Sequence, residues 1–133
     1  MTIEQFFNEY GAQFRNPERM NEFYGECTIA CTPEAVMCLK GRPEVEEAMT
    51  EVSRYQSETG LRSLTPMVEA SEDLDAHHVF AKVRWHAEFE KSGEVVVEFA
   101  NSYLLRRTES GFHVICSVAH QSEIEMRREL GLD

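Results

Sequence analysis

The stretch that most restricts the fold is residues 79–89. Val79, Ala81, Val83, Trp85, Ala87 and Phe89 are apolar, and Phe80, Lys82, Arg84, His86 and Glu88 alternate with them. A period of two gives a strand with one buried face and one mostly polar face, so a second layer must cover the apolar side. The neighbouring segments extend the pattern. Lys91-Ser-Gly marks a hairpin loop, Glu94 to Arg107 a long partner strand, Thr108-Glu-Ser-Gly a turn, and Phe112 to His120 a last strand. Upstream, Leu61 to Glu69 predicts a strand that Pro66 confines to an edge or a bulge, and Ser71-Glu-Asp-Leu-Asp a turn.

The first half has a different period. Ile3, Phe6, Phe7, Tyr10 and Phe14 form one apolar helical stripe, with Thr2 and Gln5 placed as a capping box, which predicts a helix from Thr2 to about Arg15. Asn16-Pro17 restarts a short helix carrying Met20, Phe23 and Tyr24 and ending at Gly25. Cys27–Thr32 and Ala35–Leu39, on either side of Pro33-Glu34, read as a small hairpin. Pro43 opens a third helix with Val45, Ala48, Met49 and Val52 on one face and Glu44, Glu46, Glu47 and Glu51 on the other. At the far end, Ser122 with Glu125 is a second capping pattern, for a short helix that stops at Gly131.

This order predicts an α+β fold: a strongly bent antiparallel sheet wrapped around three helices of the N-terminal half, with an extra short C-terminal helix. The 133 residues suffice for one core of ordinary size, and no linker or repeat interrupts them, so one domain over 1–133 is expected. The helices cannot cover all of a long curved sheet, and a concavity between the layers is where a ligand would sit.

Register selects the residues facing that hollow. Pairing Phe89 with Val95 sets Trp85 opposite Phe99, Val83 opposite Asn101 and Ala81 opposite Tyr103. Pairing Arg107 with Phe112 sets Tyr103 opposite Cys116, Asn101 opposite Val118 and Phe99 opposite His120. A bulge in either hairpin would shift these rows, because a slip of one residue exchanges the faces. The expected inner wall is thus Trp85–Phe99–His120, Val83–Asn101–Val118 and Ala81–Tyr103–Cys116, with Tyr10, Phe14 and Tyr24 completing the ligand-binding lining from the helical side. Asn101, Tyr103 and His120, joined by the indole N–H of Trp85, bring polarity to an otherwise apolar wall, which is the composition of a small-molecule site. Each also has a purely structural reading: Tyr103 as a core aromatic, Asn101 as a satisfied buried amide, His120 as an exposed strand end, Trp85 as packing. His77, His78 and His86 fall on a turn and on the outward face.

Charge and cysteine content bear on partners. Thirteen Lys and Arg against twenty-four Asp and Glu give a net charge of −11, of which residues 44–75 carry −7. Such a field repels phosphate backbones and anionic lipid, so neither nucleic acid nor membrane is an expected partner. The opening Met1-Thr-Ile-Glu-Gln-Phe-Phe has no basic segment or apolar targeting core, and no stretch is long enough to span a bilayer, so a cytoplasmic chain is expected. Cys27, Cys31, Cys38 and Cys116 include no C-x2-C pair and no His at ligand spacing. Free thiols acting as small buried hydrophobes are expected, with no metal and no cofactor.

Several phrases carry a family resemblance. Phe23-Tyr-Gly-Glu-Cys-Thr-Ile-Ala-Cys-Thr-Pro enters the first hairpin and Gly41-Arg-Pro-Glu-Val opens the third helix. Asn101-Ser-Tyr-Leu-Leu-Arg-Arg lies in the long strand, and Gly111-Phe-His-Val-Ile leads to His120-Gln-Ser. In this order, from Phe6 to Ser122, they resemble the nuclear transport factor 2-like superfamily, in particular its polyketide-cyclase-like (SnoaL-like) bacterial branch. The resemblance implies a cone-shaped barrel with a pocket at its wide end, and commonly a homodimer through the outer sheet face, here Phe80, Lys82, Arg84, His86, Ala100, Ser102 and Leu104. The superfamily holds isomerases, dehydratases, epoxide hydrolases and cyclases as well as non-catalytic binding modules, so fold alone does not fix function.

The departures from its enzymes are informative. Thr32 stands before Pro33 where the steroid isomerases carry their proton-abstracting carboxylate, and Glu26 and Cys27 stand where paired acids often begin the first strand. The inferred inner rows contain neither Asp nor Arg, as limonene-epoxide hydrolysis would need, and no acid on the late strands, as the cyclases would. Two readings follow. The chain binds a largely apolar small molecule without a catalytic carboxylate. Alternatively, it is an isomerase, dehydratase or cyclase in which His120 is the general base and Tyr103 and Asn101 hold a developing oxyanion.

Overall fold

Thr2 starts the fold as the sequence pattern requires. In the computed structural model, which describes residues 1–90 and 93–131, its hydroxyl accepts from Gln5 N–H and the Gln5 side chain bonds back to Thr2 N–H, opening α1 (Ile3–Ala12). Asn16 caps α2 (Pro17–Glu22), with Pro17 at its first position. The strands β1 (Tyr24–Cys31) and β2 (Val36–Lys40) form the small hairpin, α3 (Arg42–Glu58) follows, and β3 (Leu61–Asp73), β4 (His78–Glu90), β5 (Glu94–Thr108) and β6 (Gly111–Ala119) make the meander. Helix α4 (Glu123–Leu130) is capped by the Ser122 hydroxyl and ends on Gly131 in the left-handed conformation. The hairpin loop expected at Lys91-Ser-Gly falls on Lys91 and Ser92, outside the described residues.

The six strands form one curved, unclosed sheet in the order β2-β1-β6-β5-β4-β3, with helices against one face. Pro66 sits on β3, the edge strand, where a missing N–H costs no ladder bond. The sheet is not wholly antiparallel. β1 runs parallel to β6, because the first hairpin reaches the meander through the α3 crossover, the kind of connection a parallel pair needs.

Some limits differ from the sequence reading. α1 stops at Ala12 rather than near Arg15, and α2 stops at Glu22, so Phe23 caps it and Tyr24 already belongs to β1. β3 runs on to Asp73, absorbing Ser71-Glu-Asp into the ladder with β4. Pairing with a neighbouring strand outweighs the turn propensity of that segment.

The β4–β5 register is as expected: Trp85 opposes Phe99, Val83 opposes Asn101 and Ala81 opposes Tyr103. The β5–β6 register starts as expected, with Arg107 opposite Phe112, and is then broken by a bulge between Leu104 and Leu105. Beyond the bulge Tyr103 opposes Ser117 and Asn101 opposes Ala119. The rows of the sequence reading are therefore corrected for β6. Cys116, Val118 and His120 face outward, because one extra residue exchanges the faces of a strand.

The core has two parts. The larger joins Phe6, Phe7, Met20, Phe23, Tyr24, Val45 and Met49 to Val79, Ala81, Val83, Trp85, Tyr103, Leu105, Phe112 and Val114. The smaller holds Phe14, Leu61, Ala87, Phe89 and Val97. Leu64 and Phe99 pack against both. The cysteines are corrected too. All are free thiols, but Cys27 and Cys38 are exposed and Cys31 and Cys116 only half-buried, so they are not core hydrophobes. Among the described residues no helix is long and apolar enough to cross a membrane.

Candidate functional site

A cavity of about 170 Å3 opens where the two core clusters meet. β4 lends it Trp85, Ala87 and Phe89, β5 lends Val97, Phe99, Asn101 and Tyr103, and Tyr10 comes from α1. Leu61 and Leu64 of β3 and Ala119 of β6 finish the apolar wall, while Gln56 and Thr59 approach from the end of α3. The mouth is made by residues after the last strand: Gln121, then Glu123, Met126 and Arg127 on α4. That volume is on the scale of the ~150 Å3 apolar cavity that takes up benzene, so it admits about one six-membered ring.

Polarity inside is concentrated on Tyr103, 3% exposed. Its hydroxyl oxygen accepts from Trp85 Nε1–H at 2.8 Å and from Asn101 Nδ2–H at 3.2 Å. A phenol has two acceptor positions and one proton; with both positions occupied, the O–H is left to donate. Burial pushes its ionisation up, as does the nearby Tyr10, outweighing the opposing effect of the Asn101 and Trp85 bonds, so it stays a neutral donor. Tyr10 and Tyr24 are hydrogen-bonded hydroxyl to hydroxyl beside it, both likewise raised chiefly by burial. The aromatic packing is dense: Phe7 lies 4.8 Å from the Tyr103 ring and Tyr10 lies 5.7 Å from the Trp85 ring, centroid to centroid.

Of the residues expected in the site, Tyr10, Trp85, Phe99, Asn101 and Tyr103 line this one cavity. Phe14, Tyr24 and Val83 stand behind the wall in the core. Cys116 and Val118 are corrected to the outer face, and Val118 is 37% exposed there. His120 is corrected as well. Its Nε2 lies 2.7 Å from Ser102 Oγ, and its surroundings are Pro33, Glu34, Ser122 and Glu125, away from the Tyr103 hydroxyl. The bulge in β5–β6 is the physical cause.

The residues missed are those of α4. Glu123 is a carboxylate at the mouth; its side chain is 61% exposed, yet partial withdrawal from water raises its carboxyl above the ordinary value. Arg127 Nε lies 3.6 Å from Glu123 Oε1, an ion pair one helical turn along α4. Arg127 itself is 2% exposed and stacks on Tyr55, its guanidinium carbon 3.8 Å from the ring centroid. The signal for Glu123 was present: the Ser122 capping pattern starts a helix directly after the last strand, which sets its first turn at the end of the sheet.

The family model described as NTF2-like protein (DUF6841) matches residues 2–122. Among solved structures, the fold is similar to a domain of unknown function with a cystatin-like fold from Nostoc punctiforme, with TM-score 0.70, 15% identity, and 97% of this chain and 81% of that one covered. It is also similar to a ketosteroid isomerase-like protein from Erwinia carotovora atroseptica, with TM-score 0.61, 16% identity, and 90% and 95% covered. A protein of ketosteroid isomerase-like fold from Catenulispora acidiphila, in complex with trimethylamine, has TM-score 0.62, 11% identity, and 99% and 96% covered. No curated protein matches the sequence.

Proposed function

This chain belongs to the NTF2-like protein family (DUF6841), and we propose that it binds a small, largely apolar molecule about one ring in size, whose carbonyl or ether oxygen accepts from Tyr103. The observation that carries this is the Tyr103 hydroxyl, doubly bonded as an acceptor and left with its proton inside an apolar cavity. Asn101 fixes the phenol, Trp85 and Phe99 supply apolar contact, and Tyr10 borders the cavity from the helical side. The protein acts in this reading as one cytoplasmic domain over residues 1–133, paired as a homodimer through the outer sheet face, and needs no cofactor. Exposed Met67, Phe80 and Val96 on that face support the pairing.

A second reading, favoured by the carboxylate at the mouth, is proton transfer of the isomerase, dehydratase or cyclase type. Glu123, not His120, is then the base, because Glu123 and Tyr103 line the same cavity and His120 does not. A carboxyl raised by partial burial is a better base than an ordinary one.

Cyclohexanone and cyclohexane test both readings. The ketone is expected to raise the melting temperature, and Tyr103→Phe to weaken ketone binding about tenfold, the order of one hydrogen bond, while leaving the hydrocarbon unchanged. Equal affinity of Tyr103→Phe for the ketone would remove the first reading. Incubation in deuterated water, followed by proton NMR of the ketone α-positions, separates the second. Exchange lost in Glu123→Gln supports it, and no exchange with the unmodified protein overturns it.

A further inference from the structure

Helix α4 begins at Glu123, one residue past the span that matches the NTF2-like family model. The apolar wall of the cavity lies within that span, whereas Glu123, Met126 and Arg127 at its mouth lie beyond it. The mouth is thus where this chain sets its own choice of ligand.

Two charged groups border the cavity, and burial orders them. The Arg127 side chain is 3% exposed and stacks on Tyr55 of α3, whereas the Glu123 side chain is 61% exposed. A ligand group that projects from the cavity toward water therefore meets the carboxylate, while the guanidinium stays covered. Among the described residues only Arg127 forms an ion pair with Glu123, through Nε at 3.6 Å. That is longer than the roughly 2.7–2.9 Å of a charge-assisted N–H···O bond. Since an ionised carboxylate has about four acceptor positions, a second cation can bind there without displacing the first. Partial withdrawal from water already disfavours the ionised form of Glu123, and a cation at the mouth offsets that cost. The surrounding field has the same sign. Residues 44–75, most of α3 and β3, carry −7 of the net charge, and both elements reach the cavity, α3 at Gln56 and β3 at Leu61 and Leu64. Such a field draws cations in and turns anions away.

We propose that the ligand of this cavity is a cation at its outer end: a ring-sized molecule whose carbonyl or ether oxygen accepts from Tyr103 and whose protonated amine, at the opposite end, pairs with Glu123. The inference rests on the proposed binding of that oxygen by Tyr103 and adds the charge of the ligand. Glu123 is then the residue that tells a basic ligand from a neutral one of the same shape.

Two ketones of equal shape test it by calorimetric titration near neutral pH. One is cyclohexanone with a dimethylamino group on the carbon opposite the carbonyl, the other has an isopropyl group there, and a third ketone carries a carboxylate at that carbon. The amine is expected to bind about tenfold more tightly than the isopropyl ketone, the order of one charge-assisted hydrogen bond, and the carboxylate more weakly than either. Added salt is expected to shrink the advantage of the amine. Glu123→Gln is expected to abolish it and Glu123→Asp to keep part of it, with affinity for the isopropyl ketone the same in all three proteins. Melting temperatures of both variants separate a lost contact from a lost fold. Equal binding of amine and isopropyl ketone, tighter binding of the carboxylate, or an undiminished amine advantage in folded Glu123→Gln overturns the proposal and leaves the role of Tyr103 intact. No binding of any ketone by the unmodified protein removes both.

Discussion

Tyr103 shows how much of the site is decided by a few atoms. Its position on the inner face follows from alternation along β5, but its role follows from its bonds. With Trp85 and Asn101 donating to it, the phenol becomes a donor aimed at a ligand, and neither bond was legible beforehand, since Trp85 and Asn101 also had purely structural readings. The same burial makes a prediction. Tyr10, Tyr24 and Tyr103 ionise at higher pH in the folded protein than the ordinary value of 10.0. The unfolded chain therefore binds fewer protons than the folded one above about pH 10, and stability falls with rising pH from there, whereas these groups leave it unchanged below. Chemical unfolding across the alkaline range is expected to show this limb, and Tyr24→Phe to make it shallower. A limb of the same slope in the variant would mean that Tyr24 ionises as freely folded as unfolded.

Among the elements, α1 comes unusually close to the sheet, and Gly11 permits it. A Cβ at Gly11 would lie 2.6 Å from Leu64 O and 3.1 Å from Trp85 Cζ3. Alanine is the better helix former by up to about 1 kcal/mol, but the backbone of β3 cannot swing aside as a side chain would. Gly11→Ala is expected to destabilise by about 1–3 kcal/mol, the range for overpacking, measured as a lowered midpoint in urea at constant slope. An unchanged or raised midpoint would show that α1 can move off the sheet freely. The β5–β6 bulge is the other decisive element. Alternation specified both strands, and the turn at Thr108–Gly111 specified their starting pair, yet a single extra residue on β6, Ile115, moved His120 out and Ala119 in. Periodicity records faces well until a bulge exchanges them, and nothing in the local sequence from Leu104 to Cys116 marks the exchange. α4 is the converse case: its start was legible at Ser122, while its packing over the cavity mouth depends on where the whole sheet bends.

For the whole molecule, the net charge of −11 is not spread evenly. Residues 44–75 carry −7 of it, mostly on the solvent side of α3 and on β3, while the strands that form the cavity wall bring no charged side chain to its interior. The acidity thus sets the outer field and leaves the pocket apolar, apart from Glu123 and Arg127 at the mouth. The proposed homodimer belongs to this scale. Sedimentation is expected to give twice the chain mass, and Phe80→Glu, which adds one acidic charge to each copy of a symmetric apolar interface, to shift the protein to a folded monomer that keeps a cooperative melting transition. A dimer unaffected by Phe80→Glu places the interface elsewhere. By itself the sequence determined the α+β class, the caps of α1, α2 and α4, and the full β4–β5 register, and it confined β3 to an edge or a bulge, because each rests on local spacing, on strict alternation or on the missing N–H of Pro66. Only the tertiary structure decided which face of β6 turns inward, that β1 runs parallel to it, and that Glu123 and Arg127 border the cavity. Those depend on a bulge, a crossover and a sheet's curvature, which are settled when distant segments pack and not by the residues on either side.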